Sequence, residues 1–84
     1  MTRAYVCSEV RDIIRGQLNL EDTDFKDEQT FKDLGADSLD AAEMVIEIEE
    51  RFEISIPDPD AENLLTVAST IDYVCKKLGI AEED

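Results

Sequence analysis

In three separate stretches of this chain, apolar residues return every three or four positions, the spacing of one face of an α-helix rather than the alternation of a strand. Val6, Val10, Ile13, Ile14 and the pair Gln17/Leu18 mark the first stretch. Ala41, Met44, Val45, Ile48 and Phe52 mark the second, and Val67, Ile71, Val74 and Leu78 the last. Start and stop signals bracket each one. Thr2 caps a helix expected over about residues 2–18, and Asp37 opens one over 38–52. Thr66 opens a helix over 67–78, with Lys76 and Lys77 suited to its C-terminal end and Gly79 to its termination. Residues 19–37 read as a long connection held down by Leu20, Phe25, Phe31 and Leu34. Ile54 to Pro57 is extended, because the residue before a proline avoids helix. Asp58 followed by Pro59 predicts a short third helix over 59–64, and residues 81–84 form an acidic tail. The chain is all-α.

Eighty-four residues make one domain, and a chain of that length hides only about 60 % of its unfolded surface. A core of that size leaves no room for a buried catalytic cleft, which favours a carrier or binding module over a self-sufficient enzyme. The net charge of −14 repels nucleic acid and anionic lipid and draws in basic partner surfaces. There is no histidine. No Ser-His or Cys-His nucleophile can be assembled, and the commonest general base and metal ligand is missing. Cys7 and Cys75 lie among apolar residues outside any Cys-x-x-Cys spacing; two reduced thiols are expected, with a disulfide between the first and last helices as the alternative. No targeting segment or membrane-spanning run is read, so the expected place is the cytoplasm and the expected state a monomer. Asp22, Asp24 and Asp33 have the outline of a calcium loop. Lys26 and Asp27 stand where an oxygen ligand and a glycine are needed, so the motif fails. Arg11 and Arg15, one turn apart, are expected on a solvated face.

The second helix carries more than its core stripe. Leu39, Ala42 and Ile46 form another apolar line on a different side, flanked by Asp40, Glu43, Glu47 and Glu50. Between Ala36 and Glu62 there are ten acids and one base, Arg51. A modest apolar strip inside a ring of one charge sign suits transient docking: charge steers the encounter and the strip desolvates on contact.

The loop that leads into this helix reads Asp33-Leu34-Gly35-Ala36-Asp37-Ser38-Leu39-Asp40. Gly35 permits a tight turn, Asp37 and Asp40 are placed for a reciprocal capping box, and Ser38 falls in the first turn, where a helix N-terminus favours phosphate. The stretch resembles the Asp-Ser-Leu attachment motif of acyl carrier proteins, and the order of residue types follows the dissociated fatty-acid-synthesis type from Asp33 to about Val74. The resemblance implies a small antiparallel bundle of three longer helices with a short one before the last. It implies that Ser38 receives 4′-phosphopantetheine from coenzyme A through a separate holo-synthase that Asp37 helps to engage, and that acyl chains ride on the arm as thioesters. Leu39, Asp40, Glu43, Ile46, Glu47 and Glu50 would meet basic patches on fatty acid synthesis enzymes. Phe31, Ile48, Phe52, Ile56, Leu64 and Tyr73 would line the acyl pocket. Arg51, two cysteines and a connection about one residue short before Leu34 depart from the family pattern; Arg51 is expected to weaken one partner contact or to pair with Glu47. The alternatives are a specialised carrier (polyketide, lipid A or D-alanine transfer) and an acidic helical module that is never modified.

Overall fold

A computed structural model describes residues 1–21 and 25–80 of the chain. Its helices are α1 (Arg3–Leu18), α2 (Ser38–Phe52), α3 (Asp58–Ala61) and α4 (Val67–Leu78). The aspartates at 22 and 24 that opened the calcium-like series, and the acidic tail at 81–84, lie outside the described residues.

Each long helix starts on a side-chain cap. Thr2 accepts from the Tyr5 N–H, Asp37 from that of Asp40, and Thr66 from that of Ser69. The core is assembled from the faces the periodicity marked: Val6, Val10, Ile13 and Ile14 of α1, Met44, Ile48 and Phe52 of α2, Val67, Ile71, Val74 and Cys75 of α4, with Phe25 and Ile56 from the connections. Side-chain pairs give the directions. Along α1 the partners on α2 descend, from Glu9 with Arg51 to Gln17 with Glu43, so the two helices are antiparallel. Arg3 pairs with Asp72, while Arg11 reaches Asp27, whose carbonyl accepts from Ala68; α1 is therefore antiparallel to α4 as well.

The short helix departs from expectation. It begins at Asp58 rather than Pro59 and ends at Ala61 rather than 64, and no side chain caps it. Pro57 is the reason. Its backbone (φ −62, ψ 152) already presents the carbonyl that accepts from Ala61, so the helix opens one residue early with Pro59 inside the first turn, where a missing N–H costs nothing. Asn63 N–H bonds back to Asp60 and Leu64 N–H to Ala61, as turns rather than helix.

The connection before α2 is fastened by backbone as well as by apolar anchors. Phe31 N–H donates to Leu65, Val67 N–H to Gln29 and Ala68 N–H to Asp27, which straps the connection across the start of α4. Arg11 is not on a solvated face. Its guanidinium stacks on the Phe25 ring at 4.1 Å, pairs with Asp27 and donates to the Phe25 carbonyl, pinning the same segment from the α1 side.

Candidate functional site

The start of α2 is built by two interlocked turns. Thr30 and Asp33 cap each other reciprocally: Asp33 N–H donates to Thr30 Oγ1 at 3.0 Å, and Thr30 N–H to Asp33 Oδ2 at 3.4 Å. The turn closes with Gly35 N–H on the Lys32 carbonyl and Ala36 N–H on that of Phe31. That bond pair is the Schellman pattern, and it requires the left-handed φ of 89° that Gly35 supplies. The chain then enters α2 through a complete capping box: Asp40 N–H to Asp37 Oδ1 at 2.9 Å, Asp37 N–H to Asp40 Oδ2 at 3.3 Å. Ser38 follows as the first helical residue, exposed, with no hydrogen bond from its side chain to another described residue.

Ser38 lines a groove of about 610 Å3 whose apolar residues are Phe31, Ala36, Ala41, Ala61, Leu64 and Leu65, with Lys32, Asp37 and Glu62 also on its walls. Four of its residues, Phe31, Ala41, Ala61 and Leu64, also wall an interior cavity of about 30 Å3 that continues to Met44, Val45, Ile48 and Thr70. Of the six residues named for an acyl pocket, Phe31, Ile48 and Leu64 line this cavity. Phe52 and Ile56 do not; both are buried in the core beyond it. Tyr73 borders a different, outward groove of about 360 Å3 with Asp60, Leu64 and Lys76. Its hydroxyl donates to Asp60 Oδ2 at 2.6 Å, and burial of the ring followed by that bond pushes the phenol up to about 12.

The second stripe of α2 faces solvent. Leu39 is 65 % exposed and Ile46 54 %, with Ala42 exposed between them. The acids around the stripe are less uniform than the sequence suggests. Glu50 is exposed. Asp40 belongs to the capping box, Glu43 accepts from Gln17 Nε2, and Glu47 pairs with Arg51 at 3.2 Å. Arg51 also reaches Asp12 at 3.0 Å and Glu9 at 3.4 Å on α1. It bridges α1 and α2, and its expected pairing with Glu47 is one of three ion pairs it makes. Asp12 is held below the usual carboxylate range by its bonds to Arg51 and then Arg15. Glu49 accepts from Ile56 N–H at 2.7 Å and fixes the chain after α2. Sequence reasoning missed Gln17, Glu49 and Asp60, whose roles depend on tertiary neighbours, and Leu65. The last is 63 % exposed in the turn before α4 and was findable as a large apolar residue with no place in either neighbouring stripe.

An all-helical module whose second helix opens on a capped, solvent-facing serine above an apolar groove has the architecture of a carrier domain. The family described as "Phosphopantetheine attachment site" matches residues 8–74. Acyl carrier proteins from Chlorobium phaeobacteroides, Chlorobium phaeovibrioides and Chlorobium luteolum are each 45 % identical over 78 residues, covering 92 % of this chain and all of the relative. The chain belongs to the acyl carrier protein family, and its cofactor is the covalently attached 4′-phosphopantetheine of that family. The start of α2 fits such a group: an exposed hydroxyl, the positive end of a helix dipole and an apolar groove leading away. No helix among the described residues is long and apolar enough to cross a membrane.

Proposed function

We propose that Ser38 is the attachment residue and that the chain carries growing fatty acyl groups as thioesters between the enzymes of a dissociated fatty acid synthesis system. The observation that carries this reading is the position of Ser38: first residue of α2, exposed, locked from behind by the Asp37–Asp40 box and opening onto the apolar groove. The arm supplies a terminal thiol for thioester chemistry, and the chain's own residues position it. Asp37 and Asp40 fix where the Ser38 hydroxyl points. A serine hydroxyl needs a base and a metal-assisted phosphate to react, and both come from a separate holo-synthase. With no histidine to activate its serine, the chain is a substrate of that enzyme and a carrier, not a catalyst. Leu39 and Ile46, with Asp40, Glu43, Glu47 and Glu50 around them, form the surface offered to basic patches on partner enzymes, and Asp37 adds to it at the holo-synthase. Phe31, Ile48 and Leu64 line the space an acyl chain would enter, and Tyr73 stands behind Leu64 on the outward groove. A chain of this charge with no membrane-crossing helix among its described residues suits the cytoplasm.

The test is an intact mass after incubation with coenzyme A, magnesium and a promiscuous phosphopantetheinyl transferase. One arm is expected on the wild-type protein and none on Ser38→Ala. No gain in mass returns the chain to an unmodified acidic module, and a gain that survives Ser38→Ala moves the site elsewhere.

A further inference from the structure

The cavity beside Met44 and Ile48 measures about 30 Å3, well short of the roughly 150 Å3 of a cavity that takes up benzene. A chain of several carbons is larger than that space, so it enters only if one of the walls moves. The walls are unequally held. Met44 and Ile48 belong to α2, which is capped by side chains and bridged to α1 by Arg51. Ala61 and Leu64 come from α3 and the turn behind it, a four-residue helix with no buried residue and no side-chain cap. Leu64 is the shared partition: it faces the cavity, the groove at Ser38 and the outward groove at Tyr73. Among the described residues, one side-chain hydrogen bond ties α3 to a long helix, and that is the bond of Tyr73 of α4 to Asp60.

We propose that the Tyr73–Asp60 hydrogen bond is a latch on this wall and sets the shortest acyl chain that the core admits. The inference rests on the reading of the chain as an acyl carrier through Ser38. A chain enters when the methylenes it buries offset the bonds broken by swinging Leu64 aside. A hydrogen bond of this kind contributes about as much as burying one to two methylenes. Removing it therefore lowers the entry length by about one to two carbons without reshaping the cavity. Tyr73 and Asp60 act here as positioning residues, through Leu64 and Ala61.

Two measurements on Tyr73→Phe, Asp60→Ala and Asp60→Asn test this. The first is amide hydrogen exchange of the protein without an arm. In Tyr73→Phe and Asp60→Ala, Ala61 to Leu64 should exchange about fivefold to tenfold faster while α1 is unchanged. Asp60→Asn keeps an acceptor and should stay near wild type. The second loads each protein from a series of acyl-coenzyme A donors of increasing length and records the shortest chain that raises Tm above that of the bare arm. That threshold should fall in Tyr73→Phe and Asp60→Ala and hold in Asp60→Asn. An equal rise in exchange across all four helices, or an unchanged threshold, overturns the latch. Failure of any donor to load Ser38 overturns the carrier reading itself and this proposal with it, and is seen directly in the mass.

Discussion

Toward α1, helix α2 is held by charge and by core together: Arg51 spans Glu9, Asp12 and Glu47, Gln17 reaches Glu43, and Met44, Ile48 and Phe52 are buried beneath them. Toward α3 it is held by little. The segment after α2 is fixed at Glu49 by the Ile54 and Ile56 N–H groups and by the buried Ile56 side chain, but α3 beyond it, among the described residues, is joined to α4 by the one hydrogen bond of Tyr73. The cavity and the Ser38 groove both lie on that second side. The difference teaches how so small a core can serve a carrier. One side fixes where the second helix and its serine stand; the other is left able to give.

The largest test of this contrast is a pair of truncations. Ile14, 1 % exposed on α1, should lose about 3 kcal/mol as Ile14→Ala, because its surroundings are tied and relax little into the cavity left. Half-buried Leu64, on the loosely held side, should lose about 1 kcal/mol as Leu64→Ala, since the turn around it can collapse. Urea unfolding of the two variants gives the comparison directly. Equal losses would break it, placing the α3 side among the firmly packed parts of the molecule.

Next in size is the bridge. Arg51→Ala leaves Glu9, Asp12 and Glu47 facing one another and should lose about 1 kcal/mol at low salt. The gap to wild type should narrow as salt is added. It should also narrow in acid. The Asp12 carboxyl is held low in the folded protein, so its contribution is present above the usual carboxylate range and is lost as pH falls through the depressed value. Glu50→Lys, on the exposed face, should change stability by less than about 0.5 kcal/mol. It is therefore the clean probe of docking. Substituting Glu43 or Glu47 would disturb Gln17 or Arg51 at the same time, so slower transfer in those variants would not by itself locate the partner surface.

What could be read before folding divides along the same line. The start of α2 was legible because every determinant is local: Asp37 and Asp40 are three residues apart, Gly35 is where a positive φ is needed, and the core stripe has the period of one helix face. The exposed second stripe was legible for the same reason, since Leu39, Ala42 and Ile46 cannot share a face with Met44 and Ile48. Arg51 was half legible. Its partner one turn away could be foreseen, but its partners on α1 lie about forty residues back and depend on the register between two helices. The pocket was legible only as burial. Burial of Phe52 and Ile56 does not say whether a gap lies beside them, and the cavity is lined by Met44, Val45 and Thr70 along with Phe31, Ile48 and Leu64. The early start of α3 was hidden because Asp58 and Pro59 make a good cap signal in isolation, and the carbonyl of Pro57 overrode it.

A smaller effect sharpens the α3 side by pH. The Tyr73 phenol is pushed up to about 12, so the neutral form is the one folding favours. Stability from this group is complete below the ordinary tyrosine value of 10.0 and is lost as pH rises through about 12. Wild-type protein should therefore lose more stability than Tyr73→Phe over that window, by no more than about 1 kcal/mol once solvent screening is allowed for. Ultraviolet titration should show a late phenolate step that Tyr73→Phe lacks. Equal alkaline losses would remove the bond as a support of that wall.

The smallest effect lies where the firm side hands over to the loose one. α2 ends on Glu53 with φ 55 and ψ 46, the left-handed conformation that α4 assigns to Gly79 and the turn before α2 to Gly35. Glutamate adopts it at a cost, and glycine does not, although glycine loses more freedom on folding. Glu53→Gly should therefore stabilise the protein by about 0.5 kcal/mol, measured by urea unfolding. Removing one charge from a chain of net −14 also helps, so Glu53→Gln is the control, with the charge gone and the backbone cost kept. Most of the gain should be absent in Glu53→Gln. If the two variants gain equally, charge rather than backbone is what strains this junction. Asn19, left-handed at the end of α1 with φ 59, should gain less as Asn19→Gly, because asparagine tolerates that conformation better than glutamate does.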